Sequence, residues 1–151
     1  MWTDTASIAT TVPPHVLWQL FEDVARWTNW NAGIERIALN GPFASGSTFE
    51  MQPPGMDAFT STLRDVRPNA GFTDETLLGD TRFVVSHELQ PLPEGGTRVT
   101  YAIQVDGPEA ETLGPLVTAD FPEVLAALKA LAEQPPAAPA RAGQAQTSGA
   151  A

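Results

Sequence analysis

Apolar residues recur at Leu113, Val117, Phe121, Val124, Leu128 and Leu131. Those steps of three and four draw one stripe down a helix running from about Pro108 to Glu133. No other stretch of the chain carries so long a helical pattern. Everything between Gly41 and Asp106 reads instead as short strands and tight turns. One long amphipathic helix and one many-stranded sheet must bury their apolar faces on each other. Function then lies in whatever space remains between them. Two prolines bear on the helix. Pro115 suits a first turn, where a missing N–H costs little. Pro122 falls inside the pattern and predicts one kinked helix, with room beneath the bend. A boundary is the other reading, since Asp120 and Glu123 have the spacing of an N-cap and its partner.

The 151 residues suit a single domain, long enough to bury about 68% of the surface of its unfolded chain. Eighteen acidic residues against eight basic ones leave a net charge of −10, and Lys129 is the single lysine. Phosphate backbones and anionic membranes are held by clustered Lys and Arg, so nucleic acid is not an expected partner. Without cysteine there is no disulfide frame, thiol nucleophile or thiolate metal site. Two histidines, His15 and His87, are too few for a typical zinc or iron site. No metal or other cofactor is expected. With no N-terminal signal pattern and no apolar run of membrane length, a cytoplasmic protein without membrane insertion is expected. Nothing in the composition opposes pairing into a homodimer.

In chain order, Trp2–Thr11 reads as a first strand, ended by Val12-Pro13-Pro14. Val16, Leu17, Leu20, Phe21 and Val24 then follow at helical spacing, with a short second helical turn through Trp27 and Trp30. Strands are expected at Ile34–Leu39, Thr48–Gln52, Phe59–Val66, Phe72–Leu78, Arg82–Gln90 and Arg98–Asp106. The last two form the clearest hairpin. Phe83, Val85, His87 and Leu89 share one face of it, opposite Val99, Tyr101, Ile103 and Val105. After Glu133 the chain becomes Pro, Ala, Gly, Gln and Ser, and residues 134–151 are expected to form a disordered tail to a domain spanning 1–133. The class is therefore α+β: a strand, a helical pair, six antiparallel strands and a long helix.

This order, with Val12-Pro13-Pro14, Val16, Trp18, Asp23, Trp27 and Trp30, resembles the opening of the START-like, or SRPBCC, superfamily. Later words resemble it too: Gly41-Pro42-Phe43 with Gly46, His87-Glu88-Leu89, Gly95-Gly96-Thr97-Arg98-Val99-Thr100 and Gly107-Pro108. The closest likeness is to the polyketide cyclase/dehydrase-like branch, over roughly residues 3 to 133. The resemblance implies a helix-grip fold: a curved antiparallel sheet of about seven strands around a C-terminal helix. It further implies a deep apolar cavity holding a small hydrophobic or aromatic ligand. A shared fold does not choose among carriers, hormone-type binders, cyclases and chaperone co-activators.

His87 is the sharpest candidate for chemistry, because an imidazole in phase with Phe83, Val85 and Leu89 points into the apolar face. There it could act as general acid or base, or simply sit buried on a backbone carbonyl. Tyr101 shares that face and could hold a ligand carbonyl or enolate. Candidate lining residues are Trp30, Met51, Phe59, Phe72, Phe83, Val85, Val117 and Phe121. Arg64 would be a fixed cation if it faced inward, although alternation with Phe59, Ser61 and Leu63 favours the outside. One of Asp74 and Glu75 should face in, and a carboxylate held there would have a raised pKa; Glu75 is the candidate ligand contact. No nucleophile elbow and no phosphate loop is present. The sequence thus points to a small hydrophobic, polyketide-like ligand in an internal cavity, with cyclisation or dehydration as chemistry the site could support. A non-catalytic carrier or sensor, and a chaperone co-activator-like interaction module, are the rival readings.

Overall fold

The structure, a computed structural model, describes residues 1–135. From residue 136 the expected disordered tail lies outside the described residues. The chain runs β1 (Trp2–Thr10), α1 (Pro14–Glu22), a 3₁₀ helix (Val24–Asn29), β2 (Arg36–Asn40), β3 (Thr48–Gln52), β4 (Phe59–Arg67), β5 (Gly71–Leu78), β6 (Thr81–Pro91), β7 (Thr97–Asp106), α2 (Ala110–Thr118) and α3 (Phe121–Ala132). Seven strands make one antiparallel sheet in the order β1-β7-β6-β5-β4-β3-β2. Strands β2 to β7 are joined as successive hairpins, the least costly way to pair neighbours in sequence. Only β1 crosses over, to close the sheet beside β7. The sheet curves around the C-terminal helical layer in the helix-grip arrangement. The far end of that layer is tied down where Thr10 Oγ1 donates to Glu133 Oε2 at 2.7 Å.

The concave face carries the core because its residues alternate. Phe49, Leu63, Phe72, His87, Leu89, Val99 and Tyr101 are buried beneath Leu17, Phe21, Val24 and the buried face of α3. Phe21, Leu17 and Leu63 are sealed completely. Such side chains are each worth about 1.5–3 kcal/mol over exposure. Proline at the first turn starts α1, where its fixed φ is already helical. The Trp27 indole then donates to the Phe21 carbonyl at 2.8 Å, which satisfies one of the orphan carbonyls of that helix end.

The C-terminal helix departs from the expected single kinked rod. It is two segments, parted at Ala119–Asp120. Pro122 lacks the N–H that would reach back across this junction, so the ladder stops one turn early. Asp120 makes no side-chain cap, although its carbonyl accepts the Val124 N–H at 2.9 Å. Pro115 lies inside α2 rather than in its first turn. The buried stripe is also rotated on α2. Ala110, Gly114 and Thr118 face the sheet, whereas Leu116 is 70% and Val117 38% exposed. Gly114 explains the rotation: it lies flat on the Trp2 ring, so close that any Cβ would fall inside the indole.

Gly114→Ala therefore tests the packing against propensity. In an open helix the change would stabilise by about 1 kcal/mol. Here overpacking against Trp2 should instead cost about 1–3 kcal/mol, read by urea denaturation. A gain in stability would show that α2 does not rest on Trp2.

Candidate functional site

The hairpin registers lay the concave face out in rows. Phe72 on β5 stands beside His87 on β6, and His87 directly beside Tyr101 on β7. In the next row, Leu63, Asp74, Val85 and Ile103 lie side by side on β4 to β7. The row beyond contains Ser61, Thr76, Phe83 and Val105. The apolar contacts divide along these rows into two clusters. One is built on Phe72, Tyr101 and α3, and the other on Phe83, Ile103, Val105 and Ala110. Phe121 packs against both. Polar groups lie along the seam, with Ser61 and Thr76 bonded hydroxyl to hydroxyl at 2.6 Å and Asp74 beside them.

His87 sits in the aromatic row. Its ring stacks on Phe72 at 4.1 Å and 9°, and meets Tyr101 edge-on at 4.5 Å. Its Nδ1–H donates to the Phe72 carbonyl at 3.3 Å, which leaves Nε2 as the ring's lone pair. Gly71, at φ +153°, lets β5 pass so close to the His87 carbonyl that a side chain there would strike it. Burial disfavours the imidazolium and pushes the His87 pKa down to about 3, against a smaller raising effect from the Phe72 carbonyl. The imidazole is therefore neutral at physiological pH. A ring that weakly basic holds almost no proton to donate at pH 7 and accepts one poorly.

Asp74 is the inward member of the Asp74–Glu75 pair. Its carboxylate stands 3.8 Å from His87 Nε2, too long for a hydrogen bond, and the side chain is 14% exposed. Burial raises its pKa to about 7, since nothing opposite compensates the charge. Tyr101 contributes the third polar group. Its Oη is buried and has no hydrogen-bond partner among the described residues. Burial, and secondarily the nearby Asp74 charge, raise its phenol pKa far above the ordinary value. The hydroxyl thus stays protonated, a donor with nothing to donate to. Phe121 stands edge-on over the Tyr101 ring at 5.6 Å.

The other expected lining residues separate into groups. Met51, Phe59 and Val85 are half-buried on the concave side, with Met51 and Phe59 paired across β3 and β4. Trp30, Phe72 and Phe83 are buried core, and Val117 is displaced outward by the rotation of α2. Arg64 and Glu75 are corrections. Both stand on the convex face, where Arg64 donates to Glu75 Oε1 at 3.0 Å and Arg82 pairs with Glu75 Oε2. Those guanidinium bonds hold the Glu75 pKa down. The expected chamber is corrected too at its His87 end, where Phe21, Phe43 and Phe72 fill the interior against the imidazole. The polar groups that the interior leaves unpaired lie instead along the seam, at the half-buried Asp74 carboxyl and the buried Tyr101 hydroxyl. A surface hollow of about 370 Å³ lies elsewhere, at the β2–β3 edge, among Glu35, Arg36, Glu50 and Gln52. Arg36 there is already bonded to Gln52, so the seam, with its unpaired phenol and carboxyl, is the better candidate. Among the described residues, no three His, Asp or Glu side chains gather as a metal ion would require, and no helix is long and apolar enough to cross a membrane.

The sequence profile described as "Polyketide cyclase / dehydrase and lipid transport" matches residues 1–133. No curated protein matches the sequence. Among solved structures, a Mesorhizobium loti protein superposes with a TM-score of 0.73 at 19% identity, covering 86% of this chain and 96% of that one. Norcoclaurine synthase of Thalictrum flavum, in complex with dopamine and hydroxybenzaldehyde, superposes at 0.69 with 12% identity, covering 86% and 85%. A Thermus thermophilus protein gives 0.69 at 15% identity, covering 87% and 97%. At these identities the likeness is one of fold.

The two perturbed groups make a signed prediction. Folded Asp74 keeps, up to about pH 7, a proton that the unfolded chain releases at its ordinary 3.8, so its contribution to stability falls as pH rises from about 4 to 7. His87 acts the other way: the unfolded chain gains a proton below 6.5 that the fold refuses until about 3. The two slopes oppose each other between about pH 4 and 6.5. Asp74→Asn removes only the first, so the variant should gain about 2–4 kcal/mol relative to wild type on going from pH 4 to pH 8. Thermal denaturation at the two pH values checks this. A difference that does not change with pH would show that Asp74 titrates as an ordinary surface carboxylate.

Proposed function

The chain belongs to the polyketide cyclase / dehydrase and lipid transport family, and from that premise we propose that it binds a small hydrophobic, carbonyl-bearing molecule along the seam between its sheet and the α2–α3 junction. The observation that carries this reading is the buried, unpartnered Tyr101 hydroxyl. Buried polar atoms are paired in the great majority of cases. Leaving one unmade costs about 1–3 kcal/mol, a cost that a ligand carbonyl lying over Val85 and under Phe121 would remove. The surroundings suit a flat or aromatic ligand, because Phe121, Phe59 and Val85 offer ring and branched aliphatic surfaces.

The chemistry such a site supports is the closure or dehydration of a carbonyl-bearing chain. Tyr101 would hold the carbonyl oxygen and stabilise negative charge as it develops there. The apolar walls would hold the chain folded toward its reacting geometry and keep water from it. His87 serves by position: its edge contact fixes the Tyr101 ring, and its own orientation is fixed by Phe72.

Tyr101→Phe is the direct test, with 2-tetralone, a small aromatic ketone, as the probe. Removing an unpaired hydroxyl should leave stability unchanged or raise it by about 1 kcal/mol. Affinity for the ketone, measured by calorimetric titration, should fall about tenfold, the size of one hydrogen bond. Equal affinity in both proteins would remove Tyr101 from the binding role.

A further inference from the structure

The concave face holds one ionisable group that this binding role does not use. Asp74 projects from the middle of β5 into the seam, directly between Leu63 and Val85 in its row. No hydrogen bond reaches its carboxylate among the described residues, and the nearest cationic candidate, His87 Nε2, is 3.8 Å away and neutral at physiological pH. The arginines that neutralise carboxylates in this sheet are all on the other face, where Arg64 and Arg82 hold Glu75. An unpaired carboxylate in an apolar seam is destabilising, and groups kept at that cost gather at functional sites. It is also partly accessible, as a group that meets a ligand must be. Asp74 stands on the same concave face as Tyr101, one row along from the Phe72–His87–Tyr101 row, so a carbonyl held by Tyr101 presents its α-carbon on the side of Asp74.

We propose that Asp74 is the proton-transferring catalytic residue of the seam, acting on the C–H bond next to the carbonyl that Tyr101 holds. This rests on the binding role of the preceding section and names the substrate class: a ketone or related carbonyl compound with an acidic α-hydrogen. The Asp74 carboxylate takes the α-proton. The C–H electron pair becomes the new C=C bond, and the C=O π pair moves to oxygen, where the enolate accepts the Tyr101 hydrogen bond. In ring closure the enolate carbon attacks a second carbonyl of the same molecule, forming one C–C bond, and the resulting alkoxide takes the proton back from Asp74. In dehydration Asp74 removes the remaining α-proton, and the β-hydroxyl leaves with that proton as water. No oxidant, reductant or further reactant is consumed, and Asp74 ends each cycle as it began.

The pH profile follows from the same residue. Raised to about 7 by burial, Asp74 is a stronger base than an ordinary carboxylate and still largely ionised at pH 8. The other ionisable groups toward this face are His87 from β6, Tyr101 from β7, Asp4 from β1 and, from the helix junction, Asp120 with Glu123 beside it. His87 is neutral above about pH 3 and Tyr101 is protonated throughout. Asp120 is also raised, first by burial, and is the neighbour that must be separated from Asp74.

The experiment is exchange of the α-hydrogens of 2-tetralone for deuterium in D₂O, followed by proton NMR with the full chain. Wild type should accelerate exchange, with a rate rising to a plateau about a midpoint near 7. Asp74→Asn should lose that acceleration by about 10²-fold or more, while its affinity for 2-tetralone changes less than threefold. Asp120→Asn should keep both the rate and the midpoint. If wild type binds the ketone but does not accelerate exchange, or Asp74→Asn exchanges as fast as wild type, the assignment is overturned and the binding role stands. A wild-type midpoint in the ordinary carboxylate range overturns it equally, and does so without any variant having to fold. If wild type does not bind the ketone at all, the binding role itself fails and the assignment falls with it.

Discussion

The imidazole of His87 lies face to face on the Phe72 ring, 4.1 Å away, and much of the interior is arranged around that contact. The stack is possible because β5 and β6 pair Phe72 with His87 across the ladder. The hydrogen bond from Nδ1 to the Phe72 carbonyl then ties the ring to the strand whose side chain it covers. Phe21 closes the stack from α1 and Phe43 from the β2–β3 turn. Aromatic pairs of this kind add about 0.5–1.5 kcal/mol each beyond the area they bury. The chemical consequence outweighs the energetic one. Packed between aromatic rings, His87 stays neutral at physiological pH and presents a fixed edge to Tyr101.

The opposite half of the concave face is covered separately, by a second cluster built on Phe83, Ile103, Val105 and Ala110. The sheet is covered by two helical layers that do not meet as one. Helix α1 and α3 seal the aromatic row, while α2 rests on the Trp2 end through Gly114. Between them the chain breaks at Ala119–Asp120, and among the described residues Phe121 is the single apolar side chain packed on both clusters. Below that junction lie the groups a fully apolar core would not tolerate: the Asp74 carboxyl, the Tyr101 hydroxyl and the Ser61–Thr76 pair. Ser61 and Thr76 satisfy one another. Tyr101 and Asp74 do not, and Phe121, the first helical residue after the break, stands edge-on over the Tyr101 ring. Departures from local consistency gather where a protein has work to do.

Most of the architecture was legible because it rests on short-range rules. Pro-Pro and Gly-Pro punctuation, period-two alternation and one long helical stripe locate every strand and both helical regions to within a few residues. The facing of Phe83, Val85, His87 and Leu89 against Val105, Ile103, Tyr101 and Val99 needed only the hairpin geometry. The site was less legible. Phe72 and Glu75 are three residues apart and cannot share a face of a regular strand, so placing Phe72 inside commits Asp74 inward and Glu75 outward. The same parity, applied from Phe59, sends Arg64 out to its partner Glu75. That signal was present and required only consistency. The rotation of α2 was not, since it depends on the Gly114 contact with Trp2, more than a hundred residues distant. Nor was the neutrality of His87, which follows from how completely Phe21, Phe43 and Phe72 fill the space around it.

The central claim is that ligand occupies the seam between the sheet and the α2–α3 junction. The most direct measurement is a set of intermolecular nuclear Overhauser contacts between bound 2-tetralone and the isotopically labelled protein. Contacts from the ligand's aromatic protons to the Phe121 ring, the Val85 methyl groups and the Tyr101 ring would place it there. Contacts confined to Ile37, Ala38 and Met51, which line the hollow at the β2–β3 edge, would contradict the account.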